Sequence, residues 1–277
     1  MQSDYGRLYA DLYRRHWWWR ARESVLLRAI RRLSLPEPAR CRILDVGCGD
    51  GLFFPKLRAF GSVDGIEVDQ SLLSPDNPDR PRIRTALLGS SEYADWAALG
   101  GTFDLITALD VIEHIEDDRH AVRCMLDMLR PGGALLLTVP ALMCLWDRHD
   151  EINHHFRRYT RASLGALIES AVGADGSGAG TPAGRAVALE LRYFFHALVL
   201  PKYVVRVINR IAAGKPGAAG GKDASGQGHG AAGIDQFKMA PAPISFAMRR
   251  FCDLEERLGR HLPIPFGTSL LAVVRRS

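Results

Sequence analysis

The stretch ILDVGCGDG, residues Ile43 to Gly51, constrains the fold of this chain more than any other. It predicts a buried strand ending at Asp45, then glycines at 47, 49 and 51, then an apolar helical segment. Glycines so placed let the backbone turn sharply and approach a ligand at the carboxyl edge of a sheet, where open α/β sheets bind. The rhythm continues in SVDGIEV, a third strand near Arg82–Leu88, FDLITALD and GALLLTVP, with helical segments over Leu52–Phe60 and Asp118–Arg130. Short apolar runs alternating with helices predict βαβ units and a mainly parallel sheet covered on both faces. The 277 residues, 47% of them hydrophobic, suffice for one large core of this kind.

The flanking segments are less regular. A helical pattern runs from about Leu8 to Leu33 and stops before Pro36 and Pro38. Within it HWWWR, His16 to Arg20, sets three tryptophans side by side. On a helix they sweep about 200°, too wide for one core-facing stripe. Residues 141–160 form a polar loop rich in His and Arg, followed by a helix over Ser163–Ser170. Two segments, 172–184 and 212–233, are Gly/Ala/Ser-rich and predict flexible chain. Between them, 187–211 predicts a strand and an amphipathic helix broken at Pro201. A helix over Phe246–Arg260 and a strand from Thr268 close the pattern. The expected organisation is an N-terminal helical lid (1–38), a ligand-binding core (39–171) and a C-terminal part of the same domain (172–277).

Charge and cysteines narrow the setting. The net charge is +5, yet residues 1–42 carry ten Arg against four acids while the remainder balances at −1. Such a basic segment is either a solvated helix face or a contact for an anionic partner: a phospholipid surface, a lipid-linked phosphate or nucleic acid. Five cysteines form no CxxC pair and no Cys/His cluster, so no metal site is expected and reduced thiols are. No apolar run reaches the roughly 18 residues of a membrane span, and the polar start lacks a secretory pattern. A cytoplasmic protein is expected, with 187–211 or the N-terminal helix suited to peripheral membrane contact.

Two cofactor classes compete for the glycine turn. A dinucleotide wants GxGxxG, whereas this chain has GxGxG with Asp50 where its charge would repel a phosphate. Glu67 lies 22 residues after Asp45 at a strand end, where a carboxylate can accept ribose hydroxyls. Asp69 is the alternative, and equally an N-cap. Cys48, inside the turn, is expected to pack beside the ligand.

Taken together, ILDVGCGDG, GIEVD, FDLITALDVIEHIEDD and LRPGGALLLTVP resemble, in order and spacing over about residues 40–140, the class I S-adenosylmethionine (SAM)-dependent methyltransferases. The resemblance implies a doubly wound, Rossmann-like, seven-stranded mainly parallel sheet. It implies cofactor contacts from Asp45, Gly47, Cys48, Gly49, Glu67, Val68, Leu109 and Asp110, and an acceptor near His114. An adenine contact would fall within TALLGSSEYADW. A bacterial subgroup carries an HxRRYT signature and HWWF-like residues near its N-terminus. This chain is similar in both places, with Trp19 for the Phe, which points to His155, Arg158 and Tyr159.

SAM suits these residues, because it carries a sulfonium and an ammonium but no phosphate, and aromatic faces favour such cations. Glu113, His114 and His155 are candidate bases, against the plainer reading of a capping or packing role for His114. Arg158 with Tyr159 would grip an acidic acceptor, or Arg158 would pair with Asp150 to hold the loop. His16, Trp17 and Trp18 would cover the site while Trp19 packs, with simple packing or a membrane interface as the other readings. The expected activity is methylation, with O-methylation favoured, of a small or lipid-linked acceptor. A non-catalytic SAM-binding protein and a nucleic-acid methyltransferase are the alternatives, the latter weakened by the absence of an NPPY-like motif.

Overall fold

A computed structural model describes residues 11–85, 103–172, 186–213, 240–259 and 261–277. Its strands are β1 (Arg42–Val46), β2 (Ser62–Ile66), β3 (Ile83–Arg84), β4 (Phe103–Leu109), β5 (Leu129–Pro140), β6 (Ala186–Phe194) and β7 (Ser269–Arg276). They form one seven-stranded sheet in the order β3-β2-β1-β4-β5-β7-β6. The first five are parallel to one another, and β7 runs antiparallel to both β5 and β6. The seven-stranded, mainly parallel sheet expected from the sequence is therefore present. The sequence-predicted third strand continues beyond β3 into residues 86–88, and the adenine-contact segment lies almost entirely beyond Thr85; both fall outside the described residues. So do the two Gly-rich segments, apart from their first one or two residues.

Side chains alternate across the sheet, as the period of two requires. Leu44, Ile106, Leu135 and Leu137 face one side, where α3 (Asp118–Met128) and α5 (Arg161–Val172) bring Val122, Met125, Leu164 and Ile168. Ile43, Leu105, Leu136 and Val273 face the other, against α1 (Trp17–Arg31), the short α2 (Phe54–Leu57) and Cys252 of α7 (Ala242–Gly259). Burial of both faces explains why the central strands read as continuous apolar runs. The α1 stripe Ala21, Val25, Leu26, Ala29, Ile30 is fully buried, and each of its larger members contributes about 1.5–3 kcal/mol.

Two predicted helices differ from expectation. The N-terminal one is interrupted at His16, which is extended (φ −70°, ψ 132°) and caps α1 through an Nδ1 that accepts from Trp18 N at 3.2 Å. That bond satisfies one of the amides a helix start leaves open. Pro201 does not break the helix after β6. It lies in the first turn of α6 (Val199–Ala213), where the missing N–H costs no helical bond. Among the described residues no helix is long and apolar enough to cross a membrane.

Candidate active site

The carboxyl ends of β1, β2, β4 and β5 share one edge of the sheet, joined there by the end of β6 and the start of β7. The glycine turn sits on it. Gly47 and Cys48 donate their backbone N–H groups to Ile66 O at 2.8 and 3.1 Å, fastening the turn to β2. Gly47 has φ +66°, and a Cβ there would lie 2.6 Å from Val111 Cγ2, so only glycine lets the turn lie against the β4 exit. Gly49 has φ +53°, and a Cβ there would meet nothing within 4 Å, which leaves its outer side open. Glu67 accepts from Gly49 N at 2.7 Å and from Asp69 N at 2.9 Å. Each of its oxygens retains acceptor capacity toward a ligand hydroxyl. Beside it Val68 is 55% exposed. Asp69 caps the following turn through Ser71 N, the role weighed for it from sequence. Asp50 turns away to accept from Ser74 N and Asn77 Nδ2.

Asp45 lies at the floor of this edge. Thr107 Oγ1 donates to it at 2.6 Å, but burial pushes its carboxyl up to about 7, with Arg22 opposing and Glu67 adding to the rise. Arg22 comes from α1 and bonds Asp110 Oδ2 at 2.7 Å and Thr138 Oγ1 at 2.8 Å. The Thr138 hydroxyl donates onward to Asp110 Oδ1 at 3.1 Å. This clamp holds Asp110 at φ +59°, an uncommon conformation for a residue other than glycine. Leu109 and Cys48 pack against the same core cluster as Trp17 and Trp18.

The second half of the edge is built by the exits of β4 and β5. His114 ends a single 3-10 turn, Ile112–His114, and its ring meets that of His155 edge-on at 4.5 Å between centroids. His155 Nδ1 lies 2.8 Å from Asp150 Oδ1. Asp150, in α4 (Arg148–Ile152), is fully buried; burial raises its pKa, but His155 and Arg158 hold it well below the usual carboxylate range. An ionised Asp150 makes His155 Nδ1 the donor and leaves Nε2 as the free base position. Enclosure by the surrounding loops, and then His155, lower the His114 pKa to about 4, so this imidazole is neutral near pH 7. Glu113 is wholly buried, neither carboxylate oxygen has a hydrogen-bond partner among the described residues, and burial raises its pKa well above the ordinary value. One ligand atom each from Glu113, His114 and His155 lies within 4.8 Å of the others, a donor set able to hold a divalent cation.

Arg158 and Tyr159 serve the loop itself. Arg158 binds Asp150 through Nε (2.9 Å) and a terminal nitrogen (2.8 Å), and donates to Ala141 O at 3.2 Å. Its side chain is 2% exposed, and the pairing with Asp150 that the sequence offered as one of two roles is present. Tyr159 is buried in the core, its hydroxyl donating to Asp118 Oδ2 at 2.7 Å. Trp17 and Trp18 lie against the core cluster, Trp18 with its ring 6.1 Å from Phe195, while the Trp19 ring lies tilted against Tyr13 at 5.6 Å.

A family model described as "Methyltransferase domain" matches residues 18–171, more than half of the chain. The chain belongs to that family. Curated relatives of this methyltransferase domain include the ubiquinone biosynthesis O-methyltransferase of Aromatoleum aromaticum, 28% identical over 45% of this chain and 50% of the relative. That of Xanthomonas axonopodis pv. citri is 32% identical over 37% and 44%, and the mitochondrial enzyme of Homo sapiens 35% identical over 35% and 28%. The chain thus spans half or less of the length of these relatives. A solved SAM-dependent methyltransferase from Archaeoglobus fulgidus is 13% identical, with a TM-score of 0.47, over 92% of this chain and 94% of that one.

Within the methyltransferase domain, one residue central to the geometry has no role in the sequence reading, and two have a deeper one than it gave them. Arg22 carried a signal, since it lies on the helical line of Trp18, Leu26 and Ile30, where an arginine must find a buried partner. The complete burial of Asp150 and Glu113 carried little, because it depends on how two loops meet 42 residues apart along the chain, from His155 back to Glu113.

Proposed function

We propose that this chain is a SAM-dependent methyltransferase that methylates a hydroxyl oxygen of a small or lipid-linked acceptor. The observation that carries this reading is the meeting of His114 and His155, from two separate loops, on the same sheet edge as the glycine turn. The relatives named for ubiquinone biosynthesis support an oxygen acceptor joined to a lipid.

The residues present fit the cofactor. The turn at Gly47, Cys48 and Gly49 gives close backbone approach, Glu67 and Val68 would border the ribose, and Leu109 and Asp110 the methionine end. Asp45, buried and adjacent to that end, would be ionised by a ligand ammonium. When bound, SAM supplies an electrophilic methyl group. His155, oriented by Asp150, presents Nε2 to take the acceptor's hydroxyl proton, and neutral His114 beside it is a second base. His16, Trp17 and Trp18 would close the cofactor edge at the first turn of α1 and exclude water. Domain roles follow: α1 as cover, 39–171 as the cofactor-binding core, and the remainder as its acceptor-side wall.

A membrane surface is the partner added to this reading, through 187–211 and not through α1, whose apolar stripe is spent on the core. A cytoplasmic protein at a membrane surface accords with it. No nucleic-acid partner is proposed. Arg15, Arg20, Arg22, Arg28 and Arg32 are ion-paired within the chain, which neutralises half of the ten arginines in the basic segment.

The test is calorimetric titration with S-adenosylhomocysteine, NAD serving as control, followed by transfer of labelled methyl to hydroxylated aromatic rings with and without a lipid tail. His155→Ala is expected to lower turnover about 10²–10⁴-fold with S-adenosylhomocysteine affinity unchanged. A folded protein that gives no heat with S-adenosylhomocysteine would sink the reading.

A further inference from the structure

The helix α6 is attached to the protein inside out. On its inner side Lys202 lies 3.6 Å from Asp147, and Arg206 Nε donates to Trp146 O at 2.7 Å. Both anchors belong to the loop that carries His155. On its outer side Leu200, Val204, Ile208 and Ile211 follow one another at helical spacing and are 69%, 45%, 57% and 61% exposed, with Tyr203 beside them. An ordinary surface helix buries its apolar face and shows its charges. This one does the reverse.

The arrangement extends to α7. There Phe251, Leu254 and Leu258 form a second exposed apolar line, edged by exposed Arg250 and Arg257. The segment leading into α6 is tied to α7 at one corner, where the Glu255 carboxylate accepts from the backbone of His196 and of Ala197. That corner stands on the carboxyl edge of the sheet, beside the candidate site.

We propose that the outer face of α6, with the arginine-edged line of α7, docks on an anionic phospholipid surface. This deepens the lipid-linked acceptor reading and rests on it, because docking there sets the loop of His155 at the level where a lipid-borne hydroxyl would be presented. Three observations select a bilayer as the occupant. Apolar residues edged by arginine match an anionic headgroup layer above hydrocarbon. Exposed Tyr203, Phe246 and Phe251 suit the depth of that interface. A second copy paired through the same corner would bring the same arginines together, since a two-fold interface sets one patch against itself. The fifteen residues of α6 are too short to span and lie in the plane instead.

The test is co-sedimentation of the full chain with vesicles of phosphatidylglycerol in phosphatidylcholine, and of phosphatidylcholine alone, at low and high salt. Binding to the anionic vesicles is expected, weakened by salt. Val204→Glu combined with Ile208→Glu should lower it at least tenfold. Arg250→Ser with Arg257→Ser should lower it about 20- to 30-fold, from about fivefold per arginine. Circular dichroism and S-adenosylhomocysteine titration establish that each variant is folded. They also separate the two readings, because vesicle binding is measured without turnover and cofactor binding without vesicles. Wild-type protein left in the supernatant, or a glutamate pair that sediments like wild type, overturns the proposal. So does a dimer by light scattering that the glutamate pair dissociates while vesicles stay unbound.

Discussion

At the proposed cofactor site, Asp45 should make cofactor affinity depend on pH in a way that can be worked out beforehand. In the free protein, burial raises its pKa to about 7, so the neutral carboxyl is the stable form below that value. A ligand ammonium placed against it requires the carboxylate, so binding below pH 7 must expel a proton. The sign follows: affinity rises with pH until Asp45 is ionised without help, then levels off. The apparent dissociation constant scales as one plus ten to the power of pKa minus pH. At pH 6 that is about elevenfold above the plateau, and at pH 5.5 about thirtyfold, or about 1.4 kcal/mol per pH unit. The ligand's own α-amino group, with an ordinary pKa of about 8, stays charged through this window. Calorimetry with S-adenosylhomocysteine between pH 5.5 and 7, in two buffers of different ionisation enthalpy, should show about one proton released per molecule bound at pH 6. Asp45→Asn should bind weakly and without a slope. A wild-type profile flat across the window, or an equal slope in the asparagine variant, would refute the reasoning.

Other perturbations test the supports of the site. Asp150→Ala strands the buried Arg158 guanidinium and unpins His155; a loss of about 3–5 kcal/mol in denaturant unfolding is expected. Gly47→Ala should abolish S-adenosylhomocysteine binding, the strained φ alone costing about 1–2 kcal/mol, and Val111→Ala on top should relieve only the steric part. Arg22→Met removes the guanidinium from Asp110 and Thr138; about 1–3 kcal/mol of stability should go, with weaker cofactor binding in the same titration.

The βαβ half of the fold was legible because its strands are buried on both faces and its turns are spelled in glycine, both local properties. The break at His16 was not, since a histidine accepting from Trp18 N looks in sequence like any residue of a continuous helix. For α6 the amphipathic period showed that two faces exist but not which one turns inward. That was decided by Asp147 and the Trp146 carbonyl, some sixty residues away in sequence. Arg158 shows the same limit from the other side. Its pairing with Asp150 was one of two readings open in sequence, and only the closing of the loop over both side chains distinguishes them.

The position of β7 has a consequence for how the chain is made. Among the described strands it follows all the others in sequence, yet it lies between β5 and β6, so β6 has no place in the sheet until β7 exists. During synthesis, at about 5–20 residues per second, β6 leaves the ribosome some 4–15 s before its partner does. Throughout that interval Tyr193 and Phe194, and the inside-out helix that follows them, have no sheet to hang from. The glycine-turn half can form meanwhile, since β1 to β4 pair only within the first five strands and β5 lacks only its β7 edge. The nascent protein would then build its cofactor side first and its acceptor side last, and truncation or misfolding at β7 would strip two strands at once.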